Sequence, residues 1–168
     1  MTDVENVSAH SVKAWLLAIR PKTFGVAVAP VLASLAVCLS DTGFINPVTA
    51  ALTALLAIVM QAITNMENDS GYTKRKAERT NRKGLPRATS LGLLEVEIGI
   101  LIASLIGVAI TIYFIYLTHW FFLLVTVASI AAAYLYMGGP RPIAYTPYGE
   151  IVVFIFFGLV AAIGTYYL

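Results

Sequence analysis

Charge is scarce in this sequence. Only 12% of its 168 residues are Asp, Glu, Lys or Arg, about half the roughly 25% that a solvated surface carries, which excludes an ordinary soluble globular domain. Intrinsic disorder is excluded by the same shortage. An unfolded tract needs low hydrophobicity and high net charge, whereas here 59% of residues are hydrophobic and the net charge is +2. Cysteine is nearly absent, since Cys38 stands alone. It forms no internal disulfide and fits no metal-ligand or redox spacing, so it reads as a small apolar side chain. No period of about 20–50 residues recurs, and no low-complexity segment is present.

What the sequence has in plenty is apolar length. Five blocks, 24–40, 47–64, 96–117, 120–137 and 151–168, contain no Lys or Arg. Each approaches the roughly 20 helical residues that cross about 30 Å of hydrocarbon. The expected fold is all-α, a multi-spanning transmembrane helical bundle of about five helices. Residues 1–23 read as a polar tail and an interfacial helix around 15–19, stopped at Arg20-Pro21. Residues 24–168 read as one transmembrane domain, with Pro30 expected to kink its first helix. Asp3 and Glu5 make the start unlike the basic opening of a cleavable signal peptide. Threading five spans in alternation puts all eleven Lys and Arg on one side. Cations are retained in the cytoplasm, so the N-terminus and the loop after the second span are expected there, with the C-terminus outside.

One composition break, residues 67–97, can hold polar chemistry. On a helix leaving the second span, Asn65, Asn68, Asp69, Tyr72 and Lys76 recur at spacings of three and four, hence on one face. Such a stripe at the mouth of a membrane bundle is costly unless something uses it. Asn65, Glu67 and Asp69 offer the oxygen ligands that Mg²⁺ takes, usually one or two carboxylates plus substrate phosphate oxygens. Arg79, Arg82, Lys83 and Arg87 can grip phosphate, arginine through a bidentate fork. Arg141, in a stiff Gly-Gly-Pro-Arg-Pro turn, can do the same. A loop rich in cations also serves simply as a topological anchor, and both readings stand for these residues.

The run from Asn65 through Asn68-Asp69 to Gly71, followed by Gly84-Leu85-Pro86-Arg87-Ala88-Thr89, resembles the first aspartate-rich motif of the UbiA superfamily of intramembrane prenyltransferases. Arg20-Pro21-Lys22-Thr23, the stretch from Tyr136 through Gly138-Gly139-Pro140-Arg141-Pro142 to Tyr145, and the ending from Phe156-Phe157-Gly158 to Tyr167 are similar to its MenA-type branch, which prenylates dihydroxynaphthoate in menaquinone synthesis. The resemblance covers residues 14–168. It implies a helical bundle that holds a polyprenyl diphosphate through Mg²⁺, forms an allylic carbocation, and alkylates a dihydroxynaphthoate-type acceptor that loses its carboxylate. Carried over by position, Asn68 and Asp69 are the catalytic pair; Asn65, Asn68, Asp69 and Glu78 the metal ligands; and Asn65, Arg82, Lys83, Arg87 and Arg141 the diphosphate grip. Tyr72 departs from the pattern by standing where an aspartate is usual. Members of the superfamily also have about nine spans and a second aspartate motif, which this sequence does not contain. The expectation is therefore a truncated or split enzyme partnered by a separate C-terminal half, with the lipid bilayer as its medium and no nucleic-acid partner. The alternative is a non-catalytic remnant that binds isoprenoid diphosphate or a quinone-like lipid.

The remaining polar and aromatic residues read more plainly. His10 is expected in solvent, and His119 on the side without cations, away from the motif. Trp120, Phe121 and Phe122 suit an interfacial belt. Tyr134, Tyr136 and Tyr145, near the motif side, suit packing first and cation stabilisation second. Gln61 suits an interhelical hydrogen bond.

Overall fold

The computed structural model describes residues 7–75 and 87–168. Helix α1 (Val12–Ile19) begins where Ser11 caps the backbone N–H of Ala14 at 3.2 Å. A short 3₁₀ turn at Pro21–Thr23 leads into α2 (Phe24–Thr42). That helix runs through Pro30 and stops at Gly43, which takes the left-handed conformation (φ 71°) in which only glycine lacks a Cβ clash. Helix α3 (Pro47–Lys74) starts on an Asn46 cap that accepts from the N–H groups of Val48 and Thr49, with Pro47 in the first turn, where its missing N–H costs nothing. Then follow α4 (Glu97–Leu117) and α5 (Phe121–Ala133), the latter continuing as a π turn over Tyr134–Gly138. The last rod is α6 (Gly149–Val153), a π-helical stretch Phe154–Val160, and α7 (Ala161–Tyr167).

No strand occurs among the described residues. Among the described residues, five helical stretches are long and apolar enough to cross a membrane, and each overlaps one of the five blocks of the sequence, the first (Val12–Thr42) and second (Pro47–Lys74) running well beyond theirs. A separate helix, α1, does form where the interfacial helix is expected, and the first of these stretches, Val12–Thr42, includes it.

Helix α3 is the axis, packing against α1, α2, α4, α5 and α7. Its 28 residues measure about 42 Å, longer than the roughly 30 Å of hydrocarbon, so its polar last turns extend past the apolar layer. At that end Arg20 meets Asp69 and Arg75 meets the carbonyl of Gly138. At the far end the Tyr166 hydroxyl donates to Asp41, and Phe121 packs on Tyr167. Buried apolar side chains form one cluster near the arginine end (Ala14, Ala18, Met66, Ala88, Leu94, Val96) and one toward the far end (Ile110, Phe114, Phe122). Threonine hydroxyls within the helices are satisfied locally. Thr53, Thr64, Thr111 and Thr165 each donate to the carbonyl four residues earlier, which removes an unpaired donor from an apolar surrounding.

Candidate functional site

The polar face of α3 does come together. Asn65 donates its amide to the carbonyl of Ile19 at 2.8 Å and to the Thr23 hydroxyl at 2.9 Å, while its oxygen accepts from Gln61 at 3.3 Å. Gln61 also donates to Thr23 at 3.3 Å. These bonds fasten α3 to the joint between α1 and α2, so Gln61 is the interhelical link expected of it.

One turn later Asp69 has no exposed surface. Its Oδ1 lies 3.1 Å from the Arg20 guanidinium and 3.7 Å from Arg87 Nε. Its Oδ2 accepts from the backbone N–H of Thr89 at 3.1 Å and from the Thr89 hydroxyl at 3.3 Å. The same hydroxyl bonds the backbone carbonyl of Asp69, as does that of Thr73. The chain returning at Arg87–Thr89 is thereby stapled to α3. Two guanidinium groups, Arg20 and Arg87, thus stand beside one carboxylate at this mouth.

Tyr72, two turns beyond Asn65, lies under Arg87, whose guanidinium carbon is 3.6 Å from the ring centroid. Such stacking favours a cation by about 0.5–2 kcal/mol. Tyr145 meets the same ring edge-on with centroids 6.3 Å apart. The phenol that departs from the family pattern therefore acts as a floor for Arg87.

Asn68 lies between these groups on the helix, half-buried and, among the described residues, without a hydrogen bond from its side chain. Thr64, one turn beneath it, lines a partly open cavity of about 140 Å³ bordered by α2, α3, α4, α5 and the last rod. From Thr64 to Thr53 the cavity follows α3 for about 17 Å, and it reaches Phe122 and Leu168 at the far end. Its walls are almost wholly apolar, with Ala57, Val125, Phe156, Phe157 and Val160 among them. Both π-helical stretches border it, through Tyr136 and through Phe156, Phe157 and Val160. Tyr136 thus faces the cavity, while Tyr134 is half exposed.

Glu67 points elsewhere. A Cβ on Gly138 would fall 2.6 Å from its Oε2, so it packs against the Gly138-Gly139 turn and not beside Asp69. Arg75 ties the same turn down, donating to the carbonyls of Gly71, Met137, Gly138 and Gly139. Arg141 is exposed in the turn that follows and makes no ion pair among the described residues, so it is not gathered onto Asp69. Glu78, Arg82 and Lys83, expected in the metal and phosphate sets, lie outside the described residues, as does Lys76. His119 sits at the far end against Trp120 and Phe121, as expected.

Three contributors were not singled out as site residues from the sequence: Arg20, Thr23 and Thr89. Arg20-Pro21-Lys22-Thr23 carried a signal, because polar groups after a helix stop at a membrane face need partners. That they partner Asn65 and Asp69 required the fold.

The described residues fit Mg²⁺ by donor type. The carboxamide oxygen of Asn68 and the carboxylate of Asp69 suit an ion that uses one or two carboxylates together with phosphate oxygens and water. No group of three acidic, histidine or cysteine side chains gathers among the described residues, so an ion here would take its further oxygens from water or a ligand phosphate.

The model of the UbiA prenyltransferase family matches residues 27–168. The 1,4-dihydroxy-2-naphthoate octaprenyltransferase of Escherichia coli (strain K12) is 30% identical over 165 residues, covering 93% of this chain and 53% of that protein. Proteins with the same name from Haemophilus influenzae and Mycobacterium tuberculosis are 31% and 30% identical, covering 95% and 91% of this chain and 55% and 53% of theirs. The chain spans about half the length of the curated relatives it matches. No solved structure matches it.

Proposed function

Given that this chain belongs to the UbiA prenyltransferase family, we propose that it forms part of an integral-membrane enzyme that transfers a polyprenyl group from a polyprenyl diphosphate to 1,4-dihydroxy-2-naphthoate in menaquinone biosynthesis. The remainder of the relatives' length is supplied by a further segment or a separate C-terminal half. One observation carries this reading. Two guanidinium groups, Arg20 and Arg87, gathered at Asp69 stand about one helical turn above a mainly apolar cavity, an arrangement that suits a ligand with an anionic head and a hydrocarbon tail. The bacterial relatives make a bacterial inner membrane its setting, and the arginine end faces the cytoplasm, because all eleven cations fall on that side of five alternating spans.

Arg20 and Arg87 bind the diphosphate oxygens, and Tyr72 keeps the Arg87 guanidinium level beneath them. Asn68 and Asp69 hold Mg²⁺, which when bound neutralises diphosphate charge and so eases its departure. The bond from the allylic carbon to diphosphate oxygen breaks and its electron pair leaves with the diphosphate. The cation left behind lies at the top of a cavity with mainly apolar walls, with Tyr136 presenting a ring to it. The electron-rich naphthoate ring then forms the new carbon–carbon bond, and its carboxylate departs as carbon dioxide, returning a pair of electrons to the ring.

The test is calorimetric titration of the purified chain with a non-hydrolysable polyprenyl diphosphate analogue in Mg²⁺, followed by turnover assays in membranes that also contain a folded C-terminal half. Saturable binding is expected. Ala57→Trp, which fills the cavity, should lose the long-chain analogue while still binding inorganic pyrophosphate. Absence of analogue binding to the wild-type chain overturns the proposal; binding without turnover in the paired membranes reduces it to a lipid-binding remnant.

A further inference from the structure

Arg20 adopts a conformation that non-glycine residues rarely take, φ 51° and ψ 68°. Such a residue costs of order 1 kcal/mol or more and persists where its surroundings fix it. Here they do. Its N–H bonds the carbonyl of Leu16 at 3.1 Å, and its own carbonyl accepts from both the N–H and the hydroxyl of Thr23 at 2.9 Å. The outcome is a guanidinium brought onto the carboxylate of Asp69.

A carboxylate has about four acceptor positions. Three hydrogen bonds reach Asp69, from Arg20 and twice from Thr89, and Arg87 stands 3.7 Å away. A divalent cation approaching alone meets two positive groups around a carboxylate with no exposed surface. A diphosphate offers the guanidinium groups several charged oxygens and a bidentate grip. An arriving diphosphate therefore competes with Asp69 for Arg20, and the 18% exposure of Arg20, against none for Asp69, leaves it the group the anion can reach.

Resting on the diphosphate reading above, we propose that Arg20 is a displaceable counter-ion that covers Asp69 in the ligand-free protein, so that cation and diphosphate enter together and the cation does not bind first. The two ligands are then coupled, each raising the affinity for the other by the same factor.

The purified full chain is titrated with Mn²⁺ in the absence of any diphosphate, and free Mn²⁺ is read by electron paramagnetic resonance. Arg20→Gln should bind Mn²⁺ about tenfold or more tightly than wild type, within the usual range of such couplings. Arg20→Lys, which keeps the charge, should stay close to wild type, and Asp69→Asn added to Arg20→Gln should erase the gain. Circular dichroism checks that each variant folds, and Arg20→Met takes the place of Arg20→Gln if the latter does not. Equal Mn²⁺ affinity in folded wild type and variant, or a gain that survives Asp69→Asn, overturns the masking. A separate titration with preformed magnesium pyrophosphate tests the diphosphate reading: failure of wild type to bind it removes that reading, while the Mn²⁺ comparison still decides whether Arg20 covers Asp69.

Discussion

Gly71 sits where α3 passes closest to the end of α5, and replacing it by alanine opposes two effects whose sizes can be compared. A Cβ there would lie 2.5 Å from the carbonyl oxygen of Met137 and 2.9 Å from its carbon and its Cγ. That is about 1 Å inside the separation of roughly 3.5 Å at which such atoms attract. The π turn must retreat, and overpacking of this kind costs about 1–3 kcal/mol. The retreat also pulls the carbonyls of Met137, Gly138 and Gly139 away from Arg75, and hydrogen bonds to a charged group contribute about 1.5–3 kcal/mol each when lost outright. Against this, alanine is favoured over glycine within a helix by about 1 kcal/mol. The clash prevails, and Gly71→Ala is expected to be less stable than wild type by about 1–3 kcal/mol. The assay is reversible unfolding in mixed micelles of rising dodecyl sulfate content, followed by far-ultraviolet circular dichroism. Gly25→Ala supplies the control, since a Cβ at that helical position meets nothing within 4 Å and should stabilise by up to about 1 kcal/mol. If Gly71→Ala stabilises as Gly25→Ala does, α3 and the π turn do not approach as described, and the placement of the Gly138–Pro140 turn beside the motif is wrong.

Two further outcomes follow from single contacts. Tyr72→Phe keeps the ring under Arg87 and should unfold at nearly the wild-type midpoint in the same micelle assay, whereas Tyr72→Leu should lose about 0.5–2 kcal/mol; equal midpoints would mean the stacking contributes nothing. The buried hydroxyls of Thr111 and Thr126 bond at 2.6 Å between α4 and α5, so Thr111→Val should cost about 0.6–2 kcal/mol, and the double change with Thr126→Val should cost less than the single one because no hydroxyl is left without its partner.

The sequence by itself determined the helices, their number and which end carries the polar groups. Transmembrane helices are legible because an apolar run must satisfy its backbone internally wherever hydrocarbon excludes water, and length alone then fixes the element. Even the shared face of Asn65, Asn68, Asp69 and Tyr72 followed from the 3.6-residue period, since α3 continues unbroken to Lys74. The π turns over Tyr134–Gly138 and Phe154–Val160 did not follow, because one inserted residue per turn leaves the apolar pattern almost unchanged. Tertiary structure alone decided the partners. Arg20 and Asp69 are 49 residues apart, and nothing local to either announces the other. Their meeting depends on the left-handed backbone at Arg20 and on the bonds that fasten Asn65 to Ile19. Likewise the cavity belongs to no single helix: it is the space that α2, α3, α4, α5 and the last rod fail to fill between them, and side-chain volume in three dimensions is the one quantity that hydropathy along a chain does not record.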